Sequence, residues 1–162
     1  MRVTTIGGKT IDMLKKAVAV LALFVGASSP VLAALPDTGS MEKYAAAIRK
    51  IESTGRYHIT ANAGRGRTAL GAYQILDTNL PSWSRAALGR SVSREEVLRS
   101  PHLQDRVFHH RFGQYVAKYG AHGAARAWLG GEGAARGRSG AADRFGSTPS
   151  SYAGKFIREA SR

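Results

Sequence analysis

The pair Glu52-Ser53 closes the stretch "YAAAIRKIES" and sets a lone carboxylate beside Ile51. Burial next to apolar side chains disfavours the charged form of a carboxyl group, so such a residue can hold its proton near neutral pH and deliver it as a general acid. Three further groups of residues follow in order: Gly71-Ala72-Tyr73-Gln74-Ile75-Leu76, then "AWLGGEG" at 127–133, then Tyr152 in "SSYAGKF". The other acids have plainer readings. Glu95 and Glu96 suit a helix start, Asp77 in "DTNLP" either faces the same cleft as Glu52 or caps the next helix, and Glu132 either contacts a ligand or is solvated. His109 and His110 are adjacent, and neighbours on a helix diverge by about 100 degrees, so they do not converge on one ion. No metal and no other cofactor is expected.

The elements that must position these residues read as mostly helical. Met41, Tyr44, Ile48 and Ile51 recur at helical spacing behind a cap at Ser40, which puts Glu52 near the edge of a buried face. Ser53 to Thr68, with its three glycines, predicts an extended loop or small hairpin. "ALGAYQIL" predicts a helix ending near "DTNLP", and "SWSRAALG" a short one closed by Gly89. Ser93 and Glu96 form a capping-box pattern. Ser100-Pro101 opens the longest helix, lined by Phe108, Phe112, Tyr115, Val116 and Tyr119 and ended by Gly120. Two more helices are predicted near 124–129 and 151–160, with a glycine-rich basic loop between them. Trp83 and Trp128 offer flat faces for stacking on a sugar, or else they pack.

Ahead of these elements, Lys15-Lys16 precedes the apolar run "AVAVLALFVGA", 17–27, and "SSPVLA" then offers a cut after Ala33. This is the outline of a secretory signal peptide, and its run is too short for a stable membrane span. The expected division is therefore a signal over 1–33 and one domain over 34–162. Cysteine is absent, which excludes a disulfide scaffold. The whole chain carries +13; loss of Arg2, Lys9, Lys15, Lys16 and Asp12 with the signal leaves +10. Such a charge expects an acidic polymer, and export points to the carboxylate-bearing cell wall or anionic lipid surfaces ahead of nucleic acid, which is the expectation for a chain that is not exported. The basic "GRGR" at 64–67 and "RGR" at 136–138 lack interleaved aromatics to stack bases.

Taken in order, Glu52-Ser53, Gly71-x-x-Gln74, "AWLGGEG" and Tyr152 resemble the soluble lytic transglycosylases with a goose-lysozyme-like catalytic domain, over about residues 40–160. The resemblance implies a mostly α, lysozyme-like single domain with a small hairpin. It also implies cleavage of the MurNAc-GlcNAc β-1,4 bond of peptidoglycan in the periplasm, with a 1,6-anhydromuramyl product. Glu52 is then the acid and afterwards the base, in an apolar setting supplied by Ile51, Tyr73 and Leu76, and one carboxylate suffices. Gln74 and Ser53 would bind the glycan, Ser53 alternatively satisfying its own helix end, with Tyr73 and Trp128 as further substrate contacts. Tyr152 would place its phenol on Glu52. The implied partners are glycan strands and components of a secretion or conjugation apparatus, for a monomer. Trp128 and Leu129 replace the family's Tyr-Asn, so the contact made by that Asn is lost or made elsewhere. A two-carboxylate muramidase and an inactive wall-binding module are the competing expectations.

Overall fold

The computed structural model describes residues 38–138, 142 and 146–162; the expected export signal lies outside them. The element order is α1 (Thr38–Ser53), β1 (Thr60–Gly64), β2 (Arg67–Leu70), β3 (Ile75–Leu76), α2 (Leu80–Leu88), α3 (Arg94–Arg99), α4 (Pro101–Ala135) and α5 (Pro149–Ala160). The protein is thus mostly helical, with one small antiparallel sheet of order β1-β2-β3.

Helix α1 buries Met41, Ala45 and Ile48 and half-buries Tyr44 and Ile51, the face its periodicity predicts. It starts at Thr38, so Ser40 lies inside the first turn rather than capping it. The hairpin follows, with Thr60 opposite Leu70 and Asn62 opposite Thr68. Its turn residues Arg65 and Gly66 both have positive φ, 53° and 70°, which matches the right-handed twist of the strands.

"ALGAYQIL" is not a helix. Ala69 and Leu70 pair with β1 and also with β3, where they meet Leu76 and Ile75. Between the strands Gly71 has φ 67°, and its backbone passes so close to Gln104 that an added Cβ would lie 2.0 Å from Oε1 of that residue. An apolar run of eight carries no period that separates strand from helix. Here the exposed backbone of β1 and a polar side chain on α4 decide the outcome.

Helix α2 ends at Gly89 as expected. Ser93 Oγ accepts from the Glu96 amide, but the Glu96 carboxylate turns to Arg90 at 2.5 Å, leaving the capping box half made. Ser100 caps α4 through the Leu103 amide. Gly120 breaks α4 without ending it, at φ 68° and ψ 171°, and Gly131 does so again at φ 76° and ψ 176°. These angles suit glycine and let the chain fold back on itself. Helix α5 starts at Pro149, two residues before the expected position, under a reciprocal capping box between Thr148 and Ser151.

The core is an aromatic ladder. Tyr73 stacks on Phe108 at 4.2 Å between centroids, and Phe108 lies 4.9 Å from Phe112 one helical turn on. Phe112 meets Phe156 of α5 at 5.6 Å, and Tyr44 of α1 meets Phe156 at 5.4 Å. Each fully buried ring contributes about 1.5–3 kcal/mol relative to exposure. The ladder therefore fixes α1, α4, α5 and the β2–β3 turn against one another. Among the described residues no helix is long and apolar enough to cross a membrane.

Candidate active site

Glu52 sits in the last turn of α1, half-buried. The helix stops immediately after it because Thr54 and Gly55 enter the left-handed region, at φ 54° and 86°. For a β-branched residue this conformation costs about 1–2 kcal/mol. The surrounding bonds hold it there: the Gly55 amide donates to the Arg49 carbonyl at 3.0 Å, and Thr54 Oγ1 donates to the Ser53 carbonyl at 2.6 Å. Arg56 Nε donates to the same Ser53 carbonyl at 3.0 Å. The carboxylate is therefore carried at a helix end whose backbone is tightly determined.

Tyr152, in the first turn of α5, reaches it from 100 residues away. Its hydroxyl donates to Glu52 Oε1 at 2.5 Å, and the ring is buried. Burial, reinforced by the Glu52 charge and the hydrogen bond itself, pushes the Tyr152 phenol well above its ordinary pKa. It remains a protonated donor across the physiological range.

A polar cluster lies one turn back along α1. Arg49 donates to the Tyr73 hydroxyl at 2.7 Å and is 3.7 Å from Asp105 of α4. Tyr73 and Tyr57 both donate to Asp105 Oδ1, at 2.6 and 2.8 Å. Burial and the Asp105 hydrogen bond hold both phenols protonated, Tyr73 the more strongly. The neighbouring Gln104 is fully buried: Oε1 accepts from the Ala72 amide at 2.8 Å, and Nε2 donates to the carbonyls of Tyr57 and Val97, both at 3.0 Å. Gln104 and Asp105 thus clamp the chain on both sides of the hairpin, at Tyr57 and at Ala72-Tyr73. The hairpin itself borders a depression of about 310 Å³ lined by Thr60, Ala61, Asn62, Gly66, Arg67 and Thr68.

Of the residues singled out from sequence, Glu52 and Tyr152 meet directly, whereas the others take different surroundings. Ser53 is buried and its Oγ donates to the Arg49 carbonyl at 3.1 Å, a helix-end role. Tyr73 is fully buried in the ladder, so its working group is the phenol in the Arg49–Asp105 cluster rather than a surface presented to a ligand. Gln74 takes φ 52° and donates to the Gly71 carbonyl at 2.9 Å, closing the β2–β3 turn. Trp128 is partly buried, edge-on to Phe108 and Phe112 and 5.4 Å from Trp83. Leu129 packs against the core, as its side chain requires.

Asp77 does not cap α2, whose cap residue is Asn79. It pairs with Arg94 and accepts from the Thr78 amide, tying the end of the sheet to α3. Glu132 is a hub rather than a solvated loop residue. Lys118 at 2.8 Å, Tyr119 at 2.5 Å, Arg136 at 3.5 Å and Arg111 at 3.7 Å surround it, and the Lys118 and Tyr119 hydrogen bonds pull its pKa down to about 2. His109 lies 3.4 Å from Glu42, whereas His110 contacts Gln114.

Sequence reading missed Arg49, Tyr57, Gln104 and Asp105. One of them carried a signal. Gln104 continues the buried stripe of Phe108 and Phe112 at four-residue spacing, and a polar residue in such a stripe demands a built partner. Comparison of the chain with protein-family models, with curated proteins and with solved structures found no match.

Proposed function

We propose that this chain is a peptidoglycan lytic transglycosylase with a lysozyme-like, goose-type fold, in which Glu52 acts first as acid and then as base. The observation that carries the reading is the Tyr152–Glu52 hydrogen bond, which joins two residues 100 positions apart that the resemblance expected to touch. A helix that ends in the Glu52-Ser53 pair is also what the resemblance implies.

In this mechanism the Glu52 carboxyl protonates the glycosidic oxygen of the MurNAc-GlcNAc bond as the bond to the anomeric carbon breaks. The resulting carboxylate then takes the proton of the muramyl 6-hydroxyl, whose oxygen attacks the anomeric carbon. The product is a 1,6-anhydromuramyl end, no water is consumed, and Glu52 finishes protonated as it began. Tyr152 holds Oε1 through both steps and so fixes the orientation of the carboxyl group. Export to the periplasm, capture on the acidic wall and service to a secretion or conjugation apparatus belong to the same proposal.

A muramidase would need a second carboxylate to activate water. Asp77, the sequence candidate, is neutralised by Arg94, which favours the one-carboxylate route. Leu129 is the observation favouring an inactive wall-binding module, since it packs where the family's Asn would meet sugar.

The test is mass spectrometry of muropeptides released from purified sacculi by the protein and by Glu52→Gln. Products about one water lighter than reducing-end muropeptides, absent with the variant, support the proposal. Reducing-end products identify a muramidase, and sacculus binding without release by the parent protein identifies the binding module.

A further inference from the structure

Helix α5 carries Tyr152 on its buried face, where Pro149, Ala153 and Phe156 accompany it at the spacing of one helical stripe. The far end of that stripe is fixed in the aromatic ladder, since Phe156 lies 5.6 Å from Phe112 and 5.4 Å from Tyr44. The near end meets a bare stretch of backbone. A Cβ added to Gly130 would lie 2.9 Å from Cγ of Pro149 and 2.8 Å from Cβ of Ala134. Ordinary carbon contacts are about 3.5–4.0 Å, so the first residue of α5 occupies space that any side chain at position 130 would claim. Ala134 returns to the same spot across the break at Gly131, and Glu132 holds that break through Lys118 and Tyr119.

We infer that Gly130 and Pro149 are positioning residues: the missing side chain at Gly130 seats Pro149, and that seat sets the Tyr152 hydroxyl on Glu52. With Phe156 as pivot, Pro149 lies about 10 Å along the helix axis and Tyr152 about 6 Å. A methyl at position 130 must push Pro149 back by roughly 0.6–1 Å to reach ordinary contact, which carries Tyr152 by about 0.4–0.6 Å. The hydrogen bond to Oε1 stands at 2.5 Å, and a displacement of that size takes it out of the short, charge-assisted range. Alanine is otherwise the better helix former, so a loss on Gly130→Ala runs against local propensity and reports the contact.

The catalytic consequence rests on Glu52 being the acid, whereas the seat itself does not, and the test separates the two. Carbon NMR of the full chain, with tyrosine labelled at Cζ and the Tyr152 signal assigned by its loss in Tyr152→Phe, reads the phenol's hydrogen bond. It is recorded for the parent, Gly130→Ala, Pro149→Ala and the double variant. Pro149→Ala removes Cγ and leaves Cβ, which the added methyl would meet at an ordinary 3.6 Å. The Thr148–Ser151 capping box keeps the helix start in place. The expected result is that Gly130→Ala moves the Tyr152 signal toward that of an unbonded phenol when Pro149 is present, and by less than about half as much when it is alanine. The contact with Ala134 is common to both pairs and cancels. An equal shift in both backgrounds, or none in either, overturns the inference. If Gly130→Ala does not fold, the same four chains are made with Ala134→Gly, which removes the second contact.

In the activity arm, Gly130→Ala lowers muropeptide release about ten-fold in the parent and by less than about two-fold in Tyr152→Phe, where no bond is left to misplace. Equal losses in both backgrounds overturn the claim that Gly130 acts through Tyr152. If the NMR difference is present but the parent protein releases no muropeptides, the seat of α5 stands and the enzymatic reading of Glu52 fails.

Discussion

Tyr152 has one proton to donate, and it goes to Oε1 of Glu52. Replacing it with phenylalanine keeps the ring in its buried place and removes only that bond. A hydrogen bond to a charged group is worth about 1.5–3 kcal/mol, so Tyr152→Phe should lower the rate of muropeptide release roughly 10- to 100-fold, with the unfolding midpoint measured alongside changing far less. The contact itself was legible in the sequence because both residues stand in an ordered set that resembles a known catalytic domain. The surroundings of Glu52 were not. Arg49 and Asp105 are 56 positions apart, each is an ordinary surface residue type, and their meeting depends on α4 crossing behind α1. No local pattern encodes that crossing.

At the scale of elements, helices with a cap or an apolar stripe could be read in advance, the short α2 and α3 included, whereas the stretch after the hairpin could not. The stretch from Arg67 to Leu76 has its strands chosen by partners elsewhere in the chain, namely β1 and Gln104. The two breaks in α4 show a subtler limit. Gly120 signals a stop, yet the backbone needs only one residue at positive φ before helix resumes. After the second break, Glu132 ties the returning segment to Arg111, Lys118 and Tyr119 on the first one. The Lys118 and Tyr119 hydrogen bonds pull its pKa down to about 2, below the ordinary carboxylate range. A depressed carboxyl pKa adds stability that is complete above the unfolded value and fades as pH falls toward the folded one. Glu132→Gln should therefore melt at a lower temperature than the parent at pH 7, on the order of 2 °C given the exposure of the site. The two melting curves should converge between pH 4.5 and about pH 2. A deficit that persists at the acidic end would mean the glutamine perturbs packing instead.

For the molecule as a whole, the charge left after removal of the expected signal, +10, governs encounter with any anionic polymer. Screening shortens the reach of exposed charges to about 8 Å at physiological ionic strength. Retention on sacculi in a pelleting assay should fall steadily as salt rises from about 50 to 500 mM, and retention independent of salt would remove electrostatics as the means of capture. The contact between α1 and α5 adds a constraint of another kind, one of timing. Glu52 acquires its phenol only when a segment 100 residues downstream has docked, and contacts of such long sequence separation form late because the intervening chain must first be ordered. A chain still emerging from a ribosome or threading through a translocon, with α5 not yet delivered, holds the carboxylate without its partner. On the proposed function, cutting power would then switch on only when α5 docks, and a chain truncated before Tyr152 would lack it.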